Sequence, residues 1–138
     1  MKLCVIDASV IGSLILPDEA ALLLPQVMPV MVEGRALVPQ HWRLEVLNLG
    51  RNALRRQRID RDQLAKALGL LAQYRIHIDD STNHHAWGRC LAFADRYNLT
   101  AYDAAYLELA HRAGVPLLTL DKALARAAQA ENLGILAE

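Results

Sequence analysis

The fold class that the sequence predicts is α/β, a central parallel β-sheet flanked by α-helices. Three observations predict it. Short apolar runs of strand length recur along the chain, separated by longer segments with helical spacing. Strands joined through helices pair in parallel by right-handed crossovers. The chain has 138 residues, 54% hydrophobic and 22% charged, which fits one globular domain over 1–138. It shows no internal repeat, low-complexity tract or linker.

The elements follow in order. Lys2 to Ile6 is almost continuously apolar and reads as a buried strand. Asp7-Ala8-Ser9 opens a helical segment that stops at Pro17. Asp18-Glu19 supplies helix-start charges for ALLLPQVMPVMV, a helix interrupted by Pro25 and Pro29. Arg35 to Val38, bounded by Gly34 and Pro39, is a second strand. A long helix runs from His41 to about Arg58, and Asp60 starts another to about Tyr74. Ile76 to Ile78 is a short strand. Ser81 to Tyr97 is helical, with Ser81 as N-cap. Thr100-x-x-Asp103 has the form of a capping box, and its helix ends at Gly114. Val115 to Leu120 is another strand, Asp121 opens a helix to about Gln129, and Leu133 to Leu136 is a last strand.

Lys plus Arg equals Asp plus Glu at 15 each, so bulk positive charge cannot be the basis of nucleic-acid binding. No apolar run reaches the roughly 18 residues of a membrane span. MKLCVIDASV meets an acid too early for a secretory signal, so the expected location is cytoplasmic. Cys4 and Cys90 do not form a disulfide framework, and Cys4 reads as a buried free thiol.

Two acids directly follow apolar runs, Asp7 in CVIDAS and Asp121 in LLTLDKA. If both runs are parallel strands, both carboxylates emerge at strand C-terminal ends, where open sheets bind ligands. Each also reads as a helix N-cap. Glu45 sits among Leu44, Val46, Leu47 and Leu49, with Asn48 beside it at i+3. Asp103 shares a stripe with Leu107 and Ala110, which aims it along a core-facing side; the alternative is a surface acid out of that phase. Unit charges 4 Å apart repel by about 4 kcal/mol at an effective dielectric near 20. Four converging carboxylates therefore need protons or cations between them. A hard divalent ion, Mg²⁺ or Mn²⁺, suits an all-carboxylate pocket. Such a site activates water and stabilises an in-line phosphoryl transition state, so the implied reaction is phosphodiester hydrolysis.

VIDASV, LEVLN, LTAYDAAYLELA and LLTLDKAL, in that order and spacing, resemble the PIN-domain family, and most closely its VapC-like toxin ribonucleases. The resemblance covers essentially the whole chain. It implies a PIN-like fold in which Asp7, Glu45, Asp103 and Asp121 are catalytic and bind one or two metal ions. It implies that Ser9 and Thr119 support the site and that Asn48 orients Glu45. It implies RNA as substrate, endonucleolytic cleavage, a cognate antitoxin as partner and a homodimer. Two positions depart from the pattern of some relatives. Leu124 stands where they carry an aromatic, and Lys122 follows Asp121 where they have a further acid.

Arg51, Arg55 and Arg58 share a helix face at i, i+4 and i+7 and offer a track for RNA phosphates, or else a solvated face. His84-His85 is read as a surface pair, since adjacent helical residues point about 100° apart. Trp42, Trp87, Tyr102 and Tyr106 are read as packing residues, and Asp79, Asp80 and Asp95 as caps or exposed acids. Three alternatives stay open beside a toxin: a housekeeping RNA-processing or structure-specific nuclease, an aspartyl-phosphate phosphatase, and a non-catalytic binding module. The phosphatase reading lacks the second acid it needs two residues after Asp7, where Ser9 stands.

Overall fold

A computed structural model describes residues 2–16 and 20–134. Four short strands, β1 (Cys4–Ile6), β2 (Ala36–Val38), β3 (Ile76–Ile78) and β4 (Leu117–Leu118), form one sheet in the order β3-β2-β1-β4. Every pairing is parallel, with Val5 opposite Leu37 on one side and Leu117 on the other. β1, β2 and β4 are buried throughout, which is why they read as unbroken apolar runs rather than alternating ones. The chain leaves β1 toward β2 and β3, then returns to add β4 on the opposite side. That reversal opens a crevice beyond the C-terminal ends of β1 and β4.

Eight α-helices connect and cover the strands among the described residues: α1 (Ala8–Ile15), α2 (Ala20–Val32), α3 (Trp42–Arg55), α4 (Arg61–Gln73), α5 (Thr82–His85), α6 (Leu91–Tyr97), α7 (Ala101–Ala113) and α8 (Lys122–Ala130). α2 continues through Pro25 and Pro29. The two prolines lie four apart on one face, and both are exposed, so water can satisfy the carbonyls they leave unbonded. α4 starts on a complete capping box, in which Asp60 and Gln63 bond each other's backbone N–H at 2.8 Å. α7 ends at Gly114, whose φ of 65° is the left-handed turn that glycine adopts without penalty.

α7 is the central helix, buried continuously from Ala104 to Ala110. Its one buried charge, Glu108, is 1% exposed and is gripped by Arg112 at 2.8 and 3.0 Å. Arg112 reaches on to both oxygens of Asp79, and Asp79 also accepts from Thr82. Asp79 is thus neither cap nor free acid. It ties the end of β3 to α7, and Arg112 holds its carboxyl below the usual range.

Several boundaries differ from expectation. The strand expected over 115–120 is limited to Leu117–Leu118. Leu133 and Gly134 are not strand, although the Gly134 carbonyl accepts from the Leu117 N–H; 135–136 lie outside the described residues, as do Asp18 and Glu19. Ser81 occupies the N-cap position without a side-chain cap, donating instead to Asp80. Between α5 and α6, Ala86–Cys90 forms a π turn. The extra residue shifts the helical phase by about 100°. Cys90 and Phe93 then point inward, while Trp87 is 93% exposed. Trp87 is therefore not a packing residue, and neither is Tyr102 at 63%, whereas Trp42 and Tyr106 are buried. Both cysteines are free and buried, and burial pushes each thiol up to about 11.

Candidate functional site

The crevice at the strand reversal gathers all four singled-out acids. Asp7, Glu45, Asp103 and Asp121 line one open hollow of about 210 Å³, together with Ala8, Ser9, Asn48 and Leu49. Each acid stands at the start of a different helix. Asp7 and Asp121 are the N-cap residues of α1 and α8, and Glu45 and Asp103 lie in the first turns of α3 and α7. Four helices therefore point their positive ends at one hollow, which favours anions by roughly 0.3–1 kcal/mol each. That field tolerates carboxylates and would equally favour a phosphate.

Asp7 is the most enclosed of the four, at 4% exposure. Its Oδ2 accepts two hydroxyls, Ser9 Oγ and Thr119 Oγ1, each at 2.7 Å. The same hydroxyls accept backbone N–H groups from the end of β4. The Leu120 N–H donates to Ser9 at 3.2 Å and the Asp121 N–H to Thr119 at 3.0 Å. Ser9 and Thr119 thus lock two strand ends onto one carboxylate oxygen. Burial nevertheless raises the Asp7 carboxyl above its ordinary value, with Glu45 adding to the rise.

Two further acids repeat the pattern of one oxygen held by the protein. The Leu124 N–H donates to Asp121 Oδ1 at 3.0 Å, and Tyr106 Oη donates to Glu45 Oε1 at 2.6 Å. Tyr106 holds Glu45 from a second helix, beside the position expected of Asn48. Asn48 lines the hollow and makes no described hydrogen bond to Glu45; the described side-chain bond to Glu45 comes from Tyr106 on α7. His41 Nε2 also stands 3.1 Å from Glu45 Oε1, outside hydrogen-bonding geometry, with its ring edge-on to Tyr106. Sequence reasoning missed Tyr106 as a site residue. The available signal was its i+3 spacing from Asp103 on a core-facing helix, the same relation that drew attention to Asn48.

Asp103 shows what the gathering costs. Burial first, then Asp7, Asp121 and Glu45, push its carboxyl up to about 6. No basic side chain is among the groups that shift either Asp7 or Asp103.

The arginines are placed differently from the expected stripe. α3 ends at Arg55, and Gln57 turns left-handed with φ 58°. Arg58 therefore leaves the face shared by Arg51 and Arg55, and none of the three lines the acidic hollow. The His84 and His85 rings stand edge-to-face at 86°, and no metal-ligating group of three forms around them among the described residues.

A PIN domain model matches residues 4–130, which is nearly the whole sequence and includes all four acids. The chain belongs to the PIN domain family. It is also similar to the crystal structure of PAE2754 from Pyrobaculum aerophilum, with a TM-score of 0.67 and 21% sequence identity over 91% of this chain and 86% of that one. At that identity the likeness concerns the fold, a PIN-like parallel sheet wrapped by helices. No curated protein sequence matches closely enough to count as a relative. PIN domains are a nuclease family that generally works with divalent metals. Among the described residues no helix is long and apolar enough to cross a membrane.

Proposed function

We propose that this PIN domain is a Mg²⁺-dependent endoribonuclease, the toxin of a type II toxin–antitoxin pair, cutting RNA at the hollow of Asp7, Glu45, Asp103 and Asp121. The observation that carries the reading is the convergence of four carboxylates in one hollow, with no basic side chain among the groups that shift Asp7 or Asp103. Such an arrangement is costly for the protein alone, and a bound cation offsets that cost.

The donor set fits a hard divalent ion. All four groups offer oxygen, and Asp7, Glu45 and Asp121 each keep one oxygen outside the hydrogen bonds that fix the other. No three of the acids form a ready-made ligand cluster among the described residues. Magnesium does not require one, since it binds through one or two carboxylates and keeps several waters. Bound there, the ion would offset the mutual repulsion and stabilise charge developing on a phosphate. The remaining work falls to the chain. Ser9 and Thr119 fix Asp7, Tyr106 fixes Glu45, and four helix N-termini favour the incoming phosphate.

Within the nuclease class, the toxin assignment rests on the resemblance of the four motifs to VapC-like enzymes. A cognate antitoxin and a homodimer belong to that reading. The test is cleavage of RNA in Mg²⁺ or Mn²⁺ by purified protein and by Asp7→Asn, with sequencing of RNA ends after induction. Metal-dependent internal cuts by the parent alone support the reading. Equal cleavage by both proteins sinks it.

A further inference from the structure

Ser9 and Leu49 stand at one side of the acidic hollow. Both residues also line a second trough of about 260 Å³ between α1 and the C-terminal end of α3. Ile15, Leu49 and Ala53 give it an apolar floor, and Asn52, Arg56 and Arg58 give it a polar wall. The two adjoining hollows differ in sign, with four carboxylates lining one and Arg56 and Arg58 lining the other. Arg56 is exposed and has no ion-pair partner among the described residues.

Without a metal ion, four carboxylates oppose a phosphate chain, and zero net charge gives no bulk attraction for RNA. Affinity must come from cations close to the acids without cancelling them, and neither Arg56 nor Arg58 is among the groups that shift Asp7 or Asp103. We propose that the trough holds the nucleotide next to the cut phosphate of a single-stranded RNA, with ribose and base over the apolar floor and its phosphate against Arg56. The proposal rests on the acidic hollow being the hydrolytic site. A guanidinium fork matches two phosphate oxygens at once. Asn52 adds a donor and an acceptor for a base edge or a ribose hydroxyl. The apolar floor selects for single strands, because a duplex keeps its bases stacked inside and presents phosphates and sugars.

The test is fluorescence anisotropy of a labelled single-stranded RNA decamer, titrated with the full chain in EDTA between about 50 and 200 mM salt. Arg56→Glu should weaken binding by at least about tenfold, and its salt slope should be shallower by about one unit. Arg56→Lys should retain the slope, and the isosteric Asn52→Asp should also weaken binding. Arg75→Glu, just before β3 at the opposite end of the sheet, should stay within about twofold of the parent. The matching duplex should bind more weakly than the single strand. The idea is overturned if Arg56→Glu and Asn52→Asp bind as the parent does, if duplex binds as well as single strand, or if the parent binds neither. Cleavage in Mg²⁺ is scored separately. Inert protein with Arg56-dependent binding removes the hydrolytic reading alone, and cleavage without Arg56 dependence removes the trough alone.

Discussion

Replacing Asp103 by Asn should make the metal-free protein more stable. Asp103 loses nothing by giving up its charge, because its surroundings oppose that charge. Burial and three neighbouring carboxylates raise its carboxyl from 3.8 to about 6. Two pK units correspond to roughly 3 kcal/mol. The side chain is only partly enclosed, so solvent screening reduces this to about 1–2 kcal/mol. The sign follows from linkage. The folded state holds the Asp103 proton more tightly than the unfolded state does, so stability is greatest below about pH 4, falls toward pH 6 and is level above. Asn carries no charge, so its advantage should be present near pH 7.5 and absent near pH 4. Thermal melts in EDTA should show Asp103→Asn about 3–6 °C above the parent at the higher pH. Equal or lower melting there, or the same gain at both pH values, would refute the claim that burial and the neighbouring carboxylates disfavour the Asp103 charge.

Thr119→Val keeps the shape of a residue that is 2% exposed but removes its bonds to Asp7 and to the Asp121 N–H. Urea unfolding should show a loss of about 2–4 kcal/mol, with Thr119→Ser recovering most of it. Tyr106→Phe removes the 2.6 Å bond to Glu45; RNA cleavage should slow by about tenfold while the protein stays folded by circular dichroism. Arg112→Met strands the buried Glu108 carboxylate, which should cost about 3–5 kcal/mol, and adding Glu108→Gln should restore much of that. Because Arg112 lowers the Asp79 carboxyl, their contribution is present above about pH 4 and lost as pH falls. A parent protein showing no such acid-side decline relative to Arg112→Met would contradict it.

Asp7 and Asp121 were legible in the sequence because one rule connects the line to the space. An acid after a buried run in a parallel sheet comes out at the binding edge. Glu45 and Asp103 were legible because each sits in an apolar context that leaves little room for a free surface charge. Ser9 and Thr119 came from the family resemblance, whose D-x-S and T-x-D positions they match, and not from helix or strand periodicity. Tyr106 was not read as a site residue: its i+3 spacing from Asp103 marks it as a neighbour of that acid, but says nothing of Glu45, which it reaches from another helix. Arg58 was lost to the expected stripe because α3 ends in a left-handed Gln57, and glutamine carries none of the glycine signal that marked Gly114. Trp87 was misplaced by a π turn, which changes the period on which facial arguments depend.

Calorimetric titration of Mn²⁺ into the RNA-free protein tests the four-acid cation site most directly. The parent should bind the ion, and Asp7→Asn and Asp121→Asn should each weaken binding by at least about tenfold. Undiminished binding by both variants, or no uptake of Mn²⁺ by the parent, would contradict it.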